Sequence, residues 1–208
     1  MASDLELFDL WCSGDRHAGN QLVHRHFDAI CRFFATKVAD QAHVDDLVQR
    51  TFLACMGARE RFGKRSSFRT YLFTVARHEV YRYWRNQRRD REVLDFSATS
   101  LEDLATTPTG RMARNQDRER LLRALRTMPL EQQILLELHY WEDLGIAELA
   151  EIMEIASGAM RARLFRAHKS LRERMASLPD DARARPAERC DFDTWMRSLR
   201  RKSALHSS

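Results

Sequence analysis

Nearly every segment of the chain carries its apolar residues at helical spacing. A short helix is expected from Leu5 to Cys12, broken by the Ser13-Gly14-Asp15 turn, with Asp15 placed to cap the next helix. That helix carries Leu22, Phe27, Ile30, Phe33, Phe34 and Val38 on a broad apolar face. A third runs from about His43 to Arg61, with Val44, Leu47, Val48, Phe52 and Cys55 inward and Asp45 and Asp46 complementing the dipole at its start. A polar loop from Arg61 to Ser67 follows. Ser67 then caps a long helix through Phe68, Leu72, Val75, Ala76, Val80 and Tyr83 to about Arg89. These segments form a first domain over residues 1–91.

Periodicity fades over residues 92–115, where Ser97-Ala98-Thr99-Ser100 and Thr106-Thr107-Pro108-Thr109-Gly110 read as a flexible linker carrying Asp95, Glu102 and Asp103. Helical pattern returns near Met112, passes Leu121, Leu122, Leu125 and Met128, and breaks at Pro129. A helix from Leu130 to Tyr140 comes next, with Ile134, Leu135 and Leu138 inward. Two short helices close a second domain over residues 116–178. The first spans Gly145 to Met153, and Glu154-Ile155-Ala156 is a turn. The second is capped by Ser157 and runs to about Met175, with Met160, Leu164, Ala167, Leu171 and Met175 as its apolar stripe. The fold class is therefore all-α: two small helical domains on a linker, the second ending in a helix-turn-helix. Residues 179–208 form a charged extension. Within it Phe192, Trp195, Met196 and Leu199 fall on one helical stripe beside Arg197, Arg200, Arg201 and Lys202.

Composition agrees with this outline. Only 7 Gly and 4 Pro occur in 208 residues, too few for hairpin-rich β architecture. The net charge of +5 is modest, but its distribution is uneven. Arg77, Arg82, Arg85, Arg88, Arg89 and Arg91 crowd the first domain's last helix. Arg161, Arg163, Arg166, Lys169, Arg172 and Arg174 crowd the second domain's. Two basic helices suit two contacts with a polyanion, although solvated arginine faces would look the same. Cys12, Cys31, Cys55 and Cys190 include no C-x-x-C pair, which fits a reduced compartment. His24, His26 and Cys31 lack a second ligand pair, so no metal or other cofactor is expected. The acidic start, with Asp4 and Glu6, is unlike a signal peptide, and no apolar run approaches the roughly 20 residues needed to span a bilayer. A cytoplasmic protein without membrane insertion is expected.

In the helix-turn-helix, the second helix would enter a major groove. Ser157, Gly158 and Ala159 permit close approach, and Arg161 and Arg166 point away from the apolar stripe, where guanidinium groups can grip guanine edges or phosphates. Arg163 and Lys169 suit phosphates. The helix Phe68 to Arg89 interleaves its arginines with Tyr71, Tyr81, Tyr83 and Trp84, a combination that can hold an unpaired strand by stacking and charge. Tyr83 and Trp84 could equally complete the core.

Three segments carry a family resemblance. His43-Val44-Asp45-Asp46-Leu47-Val48-Gln49-Arg50-Thr51-Phe52-Leu53, Phe68-Arg69-Thr70-Tyr71-Leu72-Phe73-Thr74-Val75-Ala76-Arg77 and Tyr140-Trp141-Glu142-Asp143-Leu144-Gly145-Ile146-Ala147-Glu148-Leu149-Ala150 resemble, in order, three motifs of the extracytoplasmic-function (ECF) sigma factors of the sigma-70 family. The resemblance covers about residues 15–175. His78 and Arg82 depart from its usual Asn and Asp, Tyr71 from its Trp, and Gly145-Ile146 from its Ser-Tyr.

The resemblance implies a non-enzymatic initiation subunit whose partners are core RNA polymerase, through the clamp and flap of its large subunits, and promoter DNA. An anti-sigma factor is a further partner of such proteins. Asp45, Asp46, Gln49 and Phe52 would dock the polymerase. The loop with Lys64, Arg65 and Ser66 would help pocket a flipped −10 base, and Arg77, His78, Tyr81, Arg82 and Arg85 would contact that strand. Ser157, Arg161, Ala162, Phe165, Arg166 and Lys169 would face the −35 groove. The acidic linker would thread the polymerase, and an apolar surface near Leu135, Leu138 and Trp141 would rest on the flap. The competing reading is a stand-alone helix-turn-helix regulator, which has no use for the Asp45–Leu53 segment. An enzyme would need a nucleophile–base pair, a metal cluster or a phosphate loop, and none is evident.

Overall fold

The computed structural model describes residues 2–57, 66–92 and 116–177, and the helices in them are all α. The linker, the loop residues Lys64 and Arg65, and the C-terminal extension lie outside the described residues. By internal contacts the chain divides into two units, residues 1–100 with 147–156 and residues 101–146 with 157–208.

Within residues 1–100 the first unit holds α1 (Asp4–Cys12), α2 (Arg16–Ala35), α3 (Gln41–Gly57) and α4 (Phe68–Glu92). Ser3 and Glu6 open α1 with a reciprocal capping box: each side chain accepts a hydrogen bond from the other's backbone N–H. Its end is a Schellman turn. Asp15 N–H reaches Leu10 C=O at 3.0 Å and Gly14 N–H reaches Trp11 C=O at 3.0 Å, while Gly14 takes φ +100°, a conformation glycine adopts without steric cost. Asp15 then caps α2, accepting from the His17 and Ala18 N–H groups at 2.8 and 3.1 Å, as its sequence position suggested. The indole of Trp11 packs closely on Gly19, where an added Cβ would fall 2.3 Å from its ring.

α2 buries Leu22, Ile30, Phe33 and Phe34 against α3 and α4, and aromatic pairs knit the unit. Phe8 meets Phe68 at 5.1 Å and Phe33 meets Phe73 at 5.8 Å between ring centres. One expected core residue is displaced: Phe27 is 45% exposed, and its neighbour His26 is buried instead. The exchange is possible because Asp4 of α1 takes the His26 Nε2 at 2.7 Å, which satisfies a polar ring inside. α3 starts two residues earlier than its apolar pattern implies, because Asp40 accepts from the Ala42 N–H at 2.9 Å.

The remaining helices are α5 (Gln116–Arg126), α6 (Leu130–Tyr140), α7 (Ile146–Ile152) and α8 (Ser157–Ser177). Pro129 opens α6, and its carbonyl accepts from Gln132 and Gln133. The Gln133 amide donates back to Met128 C=O at 2.7 Å, closing the α5–α6 corner. Both helices pack on α8, which buries Met160, Leu164, Ala167 and Leu171 of its stripe and leaves Met175 half-buried. Tyr140 is buried, and its hydroxyl pairs with His168 Nε2 at 2.9 Å. Two expectations need correction here. Leu135 and Leu138 are buried core residues and cannot form a docking surface. Ser157 is the first residue of α8, so it is not the residue preceding the helix.

Candidate nucleic-acid and polymerase interfaces

Ser67 fixes the start of α4 by accepting from the Thr70 N–H at 3.1 Å. The helix then turns Phe68, Leu72, Phe73, Ala76 and Val80 inward. Helical period leaves His78, Arg82 and Arg85 exposed on the opposite face, at i, i+4 and i+7. Arg82 is held from below by Glu79, whose buried carboxylate meets its Nη1 at 3.1 Å. Arg77 is largely buried at the edge of this face, with its guanidinium 5.8 Å over the Tyr81 ring and 2.9 Å from His78 Nε2. Tyr81 is thus half-buried and partly covered. Tyr71 packs edge-on to Phe8, and Tyr83 lies between His43 and Trp84, so these aromatics serve packing. Ser66 is half-buried beside the helix start.

On α8 the exposed arc is continuous. Ser157, Arg161, Ala162, Phe165, Arg166 and Lys169 are all exposed, Phe165 at 71%. A large apolar ring held that far into solvent, flanked by arginines, suits the thymine methyl and guanine edges of a major groove. Gly158 has open space where a Cβ would point, so nothing in the protein blocks approach there. Arg163 is committed elsewhere, to an ion pair with Glu131 of α6. Between α7 and α8 the chain turns through Glu154 at φ +56°. Ile155 N–H reaches Ala150 C=O and Glu154 N–H reaches Glu151 C=O, both at 3.0 Å, another Schellman turn.

On α3, Asp45 and Gln49 are exposed one turn apart, and Asp46 is half-buried and pairs with Arg50 at 3.0 Å. Gln41 donates to Asp45 at 2.8 Å, which orients its carboxylate. Phe52 does not project: it is 6% exposed and helps floor an apolar groove of about 290 Å³. Trp11, Val23, Phe27, Val48 and Leu53 complete the apolar lining, with Asp45 and Gln49 at its rim. The groove brings three of the four expected docking residues together. It also adds Phe27 and Leu53, exposed apolar residues that the sequence reading had not assigned to a site. Leu53 was findable, since it falls four residues after Gln49 on the same helical face.

Residues 22–90 match the family model for sigma-70 region 2, and residues 118–171 match that for sigma-70 region 4. The chain belongs to the sigma-70 family. Its relatives within that family are of the ECF type. It is 27% identical over 180 residues to the ECF RNA polymerase sigma factor BldN of Streptomyces coelicolor, covering 86% of this chain and 67% of the relative. It is 26% identical to the ECF RNA polymerase sigma-E factor of Haemophilus influenzae, covering 85% of this chain and 97% of that one. Among solved structures, it shares the fold of the sigma factor RpoE of Bartonella quintana, crystallised with the anti-sigma factor NepR. There the TM-score is 0.60 at 21% identity, over 77% of this chain and 98% of that one. It shares that of CnrH, solved with the cytosolic domain of CnrY, at a TM-score of 0.61 and 22% identity, over 83% and 97% of the two chains.

In this sigma-70 family member, the region 2 match takes in most of α2, all of α3 and nearly all of α4, and the region 4 match takes in most of α5, all of α6 and α7, and most of α8. α1 precedes both. Among the described residues no helix is long and apolar enough to cross a membrane.

Proposed function

We infer that this protein is an RNA polymerase sigma factor of the ECF type, which binds core polymerase and directs promoter recognition, −10 melting and initiation in the cytoplasm. The observation that carries the reading is the α3 face, where Asp45 and Gln49 rim an apolar groove in a chain that also has region 2 and region 4 in order. A duplex-binding regulator needs α8 and has no use for that groove.

In this account α3 docks the polymerase clamp through Asp45, Asp46 and Gln49, with Phe52 supporting the surface from beneath. His78, Arg82 and Arg85 hold the −10 strand, with Arg77 and Tyr81 at the edge of that face and Lys64, Arg65 and Ser66 bordering the extruded base. Unstacking a base costs a few kcal/mol, which stacking and phosphate contacts can offset. Ser157, Arg161, Ala162, Phe165, Arg166 and Lys169 meet the −35 duplex. Catalysis stays with the polymerase, and the protein itself is no enzyme. An anti-sigma factor is a natural antagonist, as for the structural neighbour RpoE, crystallised with the anti-sigma factor NepR.

Co-purification with core polymerase tests this reading. The wild type should be retained, and Gln49→Lys, at an exposed position, should weaken retention about tenfold, roughly 1.4 kcal/mol. Tight duplex binding with no retention on core would instead identify a stand-alone regulator.

A further inference from the structure

The apolar groove between α2 and α3 has a candidate occupant within the same chain. Phe27 and Leu53 stand 45% and 57% exposed at its sides, Val48 and Phe52 floor it, and Asp45 lies on its rim. Among the described residues the one charged residue in its lining is the acid Asp45, which is exposed; together with the exposed Asp28 it pushes the nearby Cys31 thiol up, after burial itself and against the opposing charge of Arg32. An amphipathic segment with a narrow apolar stripe and a basic flank would match such a surface in shape and sign.

The sequence after α8 contains one. Phe192, Trp195, Met196 and Leu199 recur at i, i+3, i+4 and i+7, and Arg197, Arg200, Arg201 and Lys202 surround them against the single acid Asp193. Two large aromatics on so short a stripe cannot bury themselves without a partner surface. The preceding residues 178–191 can span roughly 45 Å when extended, which gives the segment a long reach from the end of α8.

We propose that the C-terminal segment Phe192–Lys202 seats its apolar stripe in the Phe27–Val48–Phe52–Leu53 groove and so competes with core polymerase for the α3 face. The competition rests on the sigma-factor reading above; the docking does not. A segment seated in about two-thirds of the molecules would weaken the apparent polymerase affinity about threefold.

The test uses the whole 208-residue chain, wild type and the double variant Trp195→Asp/Leu199→Asp, both of whose substitutions lie outside the described residues. Methyl NMR of Val23, Val48 and Leu53 in the free protein reads the groove directly, since a seated indole shifts nearby methyl resonances. Titration with core polymerase reads the competition. The proposal expects the groove methyls to move between wild type and variant, and the variant to bind core about threefold tighter. Identical methyl spectra would overturn the docking. Shifted methyls with equal polymerase affinity would overturn the competition. If neither form binds core at all, the sigma-factor reading fails, and the methyl shifts still decide whether the segment docks.

Discussion

At the residue scale, the turn before α8 depends on a single backbone angle. Glu154 holds φ +56°, where an L-residue's Cβ crowds the carbonyl that follows and costs roughly 1–2 kcal/mol. Gly14 fills the equivalent place after α1 without that cost. The two-sided comparison is Glu154→Gly against Glu154→Ala, since both remove the carboxylate and differ only in Cβ. Glycine should be the more stable in urea melts by about 1 kcal/mol, the reverse of the usual order inside a helix. An alanine variant as stable as the glycine one would contradict the left-handed turn. Asp143 takes the same angle before α7, at a residue type that tolerates it better.

At the element scale, α1 is fastened to α2 by Asp4, which meets Arg25 at 2.9 Å and His26 at 2.7 Å. Burial pushes the Asp4 carboxyl up, but hydrogen bonds from Arg25 and His26, with their charges, outweigh it and hold the carboxyl below its ordinary 3.8. A carboxyl lowered in the folded state adds stability above its unfolded value, and that stability is lost as pH falls through the lowered one. Asp4→Asn should therefore cost about 1 kcal/mol near neutrality and flatten the acid limb of the stability curve below about pH 4. An unchanged acid limb in thermal melts would count against the contact. The same pair marks what the sequence could and could not disclose. The apolar period of α2 was legible and located Leu22, Ile30, Phe33 and Phe34, but Phe27 and His26 exchanged places because a polar contact from a distant helix rewarded the histidine. Likewise the outward arc of α8 followed from its stripe, whereas the commitment of Arg163 to Glu131 depended on where α6 packs. Period predicts which residues face inward; it is blind to partners brought from elsewhere in the chain.

At the scale of the whole molecule, the proposed function assigns a different part of initiation to each of three surfaces: the groove on α3, the basic face of α4 and the exposed arc of α8. Their order along the chain was readable from three short motifs. The groove was not, because Trp11 and Val23 reach it from α1 and α2, outside any motif. The account's central claim is that these surfaces serve promoter-directed transcription, and run-off transcription with core polymerase on genomic fragments tests it most directly. Core with this protein should initiate at discrete sites that core alone does not use. Arg161→Ala and Arg166→Ala should each weaken use of those sites by about 1–3 kcal/mol if they read −35 bases. Transcripts that are the same with and without the protein, or equal use of native and −35-mutated sites by wild type and both variants, would contradict it.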